Sequence, residues 1–254
     1  MEYTDWHMAW AALEWQADLG VSDAIGDTPI DRYRMPAEKP KPIVIPVVSS
    51  PAIIAPVTLD PIAIAEKSAE VAQDLDGLKQ ALKNFPHCDL RRGARNLVFS
   101  DGTVGARVMI LGEAPGREED LQGVPFVGPA GLLLDKMLAA IGLNRAENVY
   151  IGTVIPWRPP QNREPRPEEI AMMMPFVRRH VELAAPEVLI CMGNTSCSAV
   201  VGKRGVAKLR GQWQEGLGLP VLPMVHPNVL LRQSAEKKQA WQDLLALKVW
   251  LSKH

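Results

Sequence analysis

Cysteine is scarce in this chain. Cys88, Cys191 and Cys197 are the only three among 254 residues, which excludes a disulfide framework. No apolar run is long enough to span a bilayer, so no membrane association is expected. Met1 to Gly20 has neither a basic start nor an unbroken apolar centre. That argues against a secretory signal and makes the cytoplasm the expected location. Neither a dinucleotide-binding nor a Walker spacing of glycines occurs, and there is no internal repeat. The net charge is only −1, but it is unevenly spread. Residues 1–80 hold 6 Lys and Arg against 13 Asp and Glu, while residues 81–254 hold 22 against 16. A basic main domain is compatible with a polyanionic partner.

What is present falls into three parts. Residues 1–35 form an N-terminal helical extension, with a helix over Thr4 to Leu19 that places Trp6, Ala9, Trp10, Leu13 and Ala17 near one face. Thr4 or Asp5 is positioned to cap it. Such a face suits packing on its own domain, the favoured reading, or docking on a protein partner. Residues 36–61 are dense in proline, which excludes a regular helix or central strand and implies a linker. Residues 62–254 form the main domain. Asp60 to Phe85 is expected to be helical, and Asn96 to Ser100 a short strand before a turn at Asp101-Gly102.

Four apolar strand candidates follow: Arg107–Leu111, Asn148–Ile155, Glu187–Met192 and Pro220–Val225. Helical patterns at Ala130–Ile141, Pro167–Ala184, Thr195–Val201 and Ala235–Leu251 alternate with them. This alternation predicts an α/β fold of parallel strands joined by crossover helices. Each strand runs into an unusual loop, and all four loops belong to the carboxyl edge of the sheet, where ligands bind in open α/β folds. The first carries Gly112-Glu-Ala-Pro-Gly116, an acidic and exposed-looking Glu118-Glu119-Asp120, and Gly123-Val-Pro-Phe-Val-Gly128. The second carries Pro156 to Arg163, the third Gly193 to Ser196, and the fourth His226-Pro-Asn-Val-Leu-Leu-Arg232. Glu113 and His226 together suit a water-orienting carboxylate and a donor to a leaving group. Phe126 suits stacking on a planar ligand. Arg163, Arg210 and Arg232 suit phosphates.

The segments GEAPGREEDLQGVPFVGPAGLLLDKML and VHPNVLLR, with WRPPQNREPRPEEI and KLRGQW between them, resemble the uracil-DNA glycosylase superfamily, and within it family 4, the kind that usually carries an iron–sulfur cluster. The resemblance spans roughly residues 85–251. It implies a three-layer α/β/α sandwich with a four-stranded parallel sheet, and a base-excision repair hydrolase that extrudes deoxyuridine from DNA and cleaves its N-glycosidic bond. By position, Glu113 and His226 are the implied catalytic residues, Glu113 activating water and His226 stabilising charge on the departing base. Gly112, Ala114, Phe126 and Thr153 are the implied base-binding residues. Asn228 and Leu231 join Arg163, Arg210 and Arg232 as implied DNA contacts, with Leu230 to Arg232 in the loop that presses into the duplex. A monomer is expected.

Two positions depart from the family pattern. Thr153 stands where an asparagine usually reads the uracil edge, and a hydroxyl cannot make the same bidentate contact. Phe85 and Met173 stand where two cluster cysteines are usual, Cys88 matches a third, and Cys191 reads as core. From this ligand count no metal and no cofactor is expected. The principal reading is a glycosylase acting on deoxyuridine or a related damaged base. The alternative is a DNA-binding or adaptor protein that kept the fold and lost the chemistry.

Overall fold

The computed structural model describes residues 3–18 and 60–254. The proline-rich linker and most of the N-terminal extension lie outside the described residues, as do the capping side chains expected at Thr4 and Asp5. Two units separate at residue 56, and each is described by itself. The first contains helix α1 (Tyr3–Asp18). Trp6 and Trp10 stack on it at one-turn spacing, with ring centroids 6.1 Å apart, and Met8, Trp10, Leu13 and Trp15 are exposed.

The second unit opens with a correction to the single helix expected over Asp60–Phe85. Two helices stand there, α2 (Pro61–Glu70) and α3 (Leu75–Asn84). Each has its own aspartate cap: Asp60 accepts from the Ile62 amide and Asp74 from the Gly77 amide. Asp74 in an extended conformation ends any continuation and restarts the helix, a local competition that apolar spacing does not register. A short helix α4 (Leu90–Gly93) follows.

The sheet is also larger than expected. Strands β1 (Ser100–Gly102), β2 (Val108–Gly112), β3 (Val149–Thr153), β4 (Val188–Met192), β5 (Gln214–Gly216) and β6 (Leu219–Met224) run in the order β1-β3-β2-β4-β6-β5. The central four are the expected parallel strands. The two three-residue edge strands, β1 and β5, are antiparallel and too short to show a period. Helices α5 (Arg117–Gln122), α6 (Pro129–Ala139), α7 (Pro167–Ala184), α8 (Asn194–Val201), α9 (Val206–Leu209), α10 (Pro227–Arg232) and α11 (Lys237–Lys253) complete the unit.

Every residue of β2, β3 and β4 is buried, as expected of strands covered on both faces. Alternate residues serve opposite cores. Met109, Leu111, Tyr150, Leu189, Cys191 and Val221 pack on the side of α2, α3 and α7. Val108, Ile110, Val149, Ile151, Val188, Ile190, Leu222 and Met224 pack on the side of α6 and α11. The three layers follow from this division. The strands end side by side at Gly112, Thr153, Met192 and Met224, so their loops share one edge.

Candidate active site

A cleft of about 430 Å³ opens at that edge. Gly112, Glu113, Ala114, Phe126, Thr153, Arg163, His226, Asn228 and Arg232 all line it. These come from segments more than a hundred residues apart. Two expected DNA contacts are not in its wall. Leu231 is exposed on α10, and Arg210 is turned away altogether.

Glu113 follows β2, and its Oε1 accepts a hydrogen bond from the Thr195 amide at 2.8 Å. That amide is in the first turn of α8, where unpaired N–H groups and the helix dipole favour an anion. The carboxylate is thus held through one oxygen. The close approach demands Gly193, whose backbone lies at φ 104° and whose added Cβ would come 2.4 Å from the carboxyl carbon of Glu113.

His226 ends the segment after β6 and caps α10. Its Nδ1 accepts from the Asn228 amide at 3.1 Å. An accepting Nδ1 places the proton of the neutral ring on Nε2, which is then its one donor. Burial pushes the His226 pKa down, against the opposing pull of Glu113 and Glu119, so the ring is neutral at pH 7. Its face stacks on Phe126, centroids 5.4 Å apart and planes 22° from parallel. The edge of Phe126 lies against Gly112, where a Cβ would come 2.7 Å from the ring.

Of the acidic stretch expected to be solvent-exposed, Glu118 is exposed, whereas Glu119 and Asp120 form a structural brace. Asp120 is buried and accepts from the Arg95 and Asn96 amides. Glu119 accepts from the Gly116 amide through one oxygen and from the Val127 and Gly128 amides through the other. One carboxylate therefore ties the Glu113 loop to the Phe126 loop. Sequence spacing gave no sign of this, because both partners are backbone amides.

Thr153 ends β3, and its hydroxyl donates to the Val98 carbonyl at 3.2 Å. What it offers the cleft is lone pairs and a methyl, not a donor. The arginines divide. Arg232 and Asn228 are exposed at the cleft rim. Arg163 lines the cleft but is engaged bidentately by Glu169, at 2.5 and 2.9 Å. The Arg163 guanidinium holds the Glu169 carboxyl below its usual range, with the Arg166 amide assisting. Arg210 binds both oxygens of the buried Asp243, at 3.0 and 2.7 Å, and also Gln239. It pins the α9 end to α11, and its donors are consumed there. Leu230, expected in the duplex-facing loop, is buried against Val225 and Ala240.

This is an α/β protein with a cleft at the carboxyl edge of its parallel strands, lined by a carboxylate, an aromatic ring and an imidazole. Residues 99–245 match the model of the uracil DNA glycosylase superfamily. The chain is 39% identical over 163 residues to the type-4 uracil-DNA glycosylase of Thermotoga maritima, covering 63% of this chain and 84% of that one. It is 36% identical over 180 residues to that of Archaeoglobus fulgidus, covering 67% and 90%. With the type-4 enzyme of Saccharolobus solfataricus the identity is 33% over 189 residues, covering 70% and 87%. The chain belongs to the uracil-DNA glycosylase superfamily and is a type-4 relative within it.

These relatives correct the expectation of no cofactor. They bear the type-4 name, and type 4 is the kind to which the resemblance attached an iron–sulfur cluster, so kinship argues for a cluster rather than against one. The side chains of the described residues do not match a four-thiolate set. Phe85 packs edge-on against Phe176 at 5.3 Å, Met173 is fully buried beside them, and Cys191 and Cys197 are buried by the sheet. Among the described residues no three His, Cys, Asp or Glu are grouped to hold a metal.

Proposed function

We propose that this protein hydrolyses the N-glycosidic bond of deoxyuridine in DNA, as the first step of base-excision repair. One observation carries the reading: a carboxylate held at the α8 N-terminus and a neutral histidine donor line one cleft, with the Phe126 ring packed against that histidine. The extruded base stacks on Phe126. The C1′–N1 bond breaks with its electron pair leaving on the base, and the charge that builds on the uracil oxygen meets the Nε2–H of His226. Glu113 orients a water toward C1′ with its second oxygen and accepts the proton as the bond to the sugar forms. Gly112 and Ala114 let the backbone approach the base.

Arg232 and Asn228 at the rim contact the DNA backbone, and the exposed Leu231 enters the duplex. Thr153 reads the base only as an acceptor, which suits the N3–H of uracil while leaving its O4 without a side-chain donor. The enzyme acts in the cytoplasm as a monomer, and the α1 extension offers a surface to a protein partner. Among the described residues no helix is long and apolar enough to cross a membrane. The test is incubation with single- and double-stranded DNA containing uracil, followed by alkaline cleavage of abasic sites. Cleavage at uracil supports the reading. Binding without base release sinks it and favours an adaptor.

A further inference from the structure

Phe126 sits in left-handed backbone at φ 52°. That conformation is strained for a bulky residue, so the surroundings must impose it. The main restraint is Arg145, in the connection between α6 and β3. Its Nη2 donates to the Phe126 carbonyl at 2.9 Å and its Nη1 to the Pro125 carbonyl at 3.2 Å. Arg145 is itself oriented from two sides. Asp135 on α6 accepts from Nε and Nη2, at 2.9 and 2.8 Å, and Asp101 on β1 accepts from Nη1 at 2.8 Å. The guanidinium is mostly buried, with 20% of the side chain exposed. On the far side, Gly131 admits the same carbonyl, because a Cβ there would lie 1.8 Å from the Phe126 oxygen. Arg145 does not line the cleft. Whatever it does for a base, it does through Phe126.

We propose that Arg145, oriented by Asp101 and Asp135, is a positioning residue that sets the height and tilt of the Phe126 ring and thereby the fit of the flipped base. The inference rests on the glycosylase reading of the cleft. A planar guanidinium suits the task, since its fork reaches two successive carbonyls while two carboxylates fix its plane. A lysine places a single point charge and cannot fix both carbonyls.

The test uses the full chain and the variants Arg145→Met, Arg145→Lys and Asp135→Asn. Affinity for free uracil, affinity for DNA with an abasic site, kcat and KM on uracil DNA, and Tm are measured on each. In Arg145→Met, free-uracil affinity and kcat should each fall by about tenfold, with abasic-DNA affinity within twofold of wild type. Arg145→Lys should recover part of both losses. Were Arg145→Met to misfold, Asp135→Asn, which keeps the donors and loosens their plane, should weaken uracil binding severalfold. A lowered Tm with unchanged uracil affinity and kcat in the folded variants overturns the proposal. So does an equal loss of abasic-DNA affinity. A wild type that binds uracil but releases none refutes the glycosylase reading alone, and one that binds no uracil refutes both.

Discussion

His180 and His226 are both removed from water, and both have a pKa pushed down by burial. They differ in what surrounds the ring. His180 on α7 is closed on every side. It stacks on Phe99 at 4.3 Å, its Nε2 meets the Tyr150 hydroxyl at 2.8 Å, and it backs onto Gly152. His226 spends Nδ1 on a backbone amide and one face on Phe126, and presents the rest to the cleft. Burial makes a histidine neutral in both places. Each ring has one nitrogen in a hydrogen bond, but only His226 lines the cleft, so access to the other nitrogen, not the pKa, distinguishes a site from a core.

The comparison is broken most sharply by deleting each ring's function. His226→Ala should lower kcat on uracil DNA by roughly a hundredfold to a thousandfold, as for loss of one oxyanion donor, with DNA affinity kept because phosphate contacts supply most of it. Glu113→Gln should cost about a hundredfold in kcat, again with binding kept. His180→Gln should leave kcat within about threefold. If His180→Gln loses as much as His226→Ala in single-turnover assays, the distinction between the two rings fails.

The next effect concerns pH. His180 has a folded pKa of about 4 against 6.5 in the unfolded chain. A depressed histidine resists protonation when folded, so its contribution to stability is whole above pH 6.5 and is lost as pH falls from there toward 4. The loss integrates to about 3 kcal/mol. Urea unfolding of wild type between pH 7 and 4 should show this decline, and His180→Gln should flatten it. The activity of His226 should fall on the acid side only below the usual histidine range, because its own pKa is lowered.

Thr153→Asn addresses base reading at the end of β3. An amide supplies both a donor and an acceptor, and a bidentate contact is worth about 1–3 kcal/mol of discrimination. The expected outcome is a rise in kcat/KM on uracil of about tenfold and better rejection of cytosine. Equal or lower activity in competition assays would show that the hydroxyl bonded to Val98 is already the better reader. The smallest effect is expected at the rim. Arg232→Ala should weaken binding of DNA with any base and lower the slope of log K against log salt by about one. An unchanged slope in fluorescence anisotropy would remove Arg232 from the phosphate contacts.

Much of this was legible along the chain. The central strands, the helices between them and the loops bearing Glu113, Phe126 and His226 are written in local pattern, because strands covered on both faces read as short apolar runs and helix burial imposes a period of 3.6 residues. The break between α2 and α3 was missed because a cap outweighs apolar spacing at Asp74. The arginines are where the sequence does not discriminate. Arg163, Arg210 and Arg232 look alike in sequence, each a cation near a turn, yet Glu169 and Asp243 claim the first two.

Arg145 and Glu119 gave no motif signal at all. Glu119 is met by backbone amides, and Arg145 reaches two backbone carbonyls as well as Asp101 and Asp135; backbone groups belong to every residue, so no spacing of side chains reports these contacts. The sequence alone determined which candidate side chains stand at which strand ends. Only the tertiary structure decided which charges are already spent, and how a carboxylate, a ring and an imidazole are held against one another, because those contacts join segments whose separation along the chain sets no distance in space.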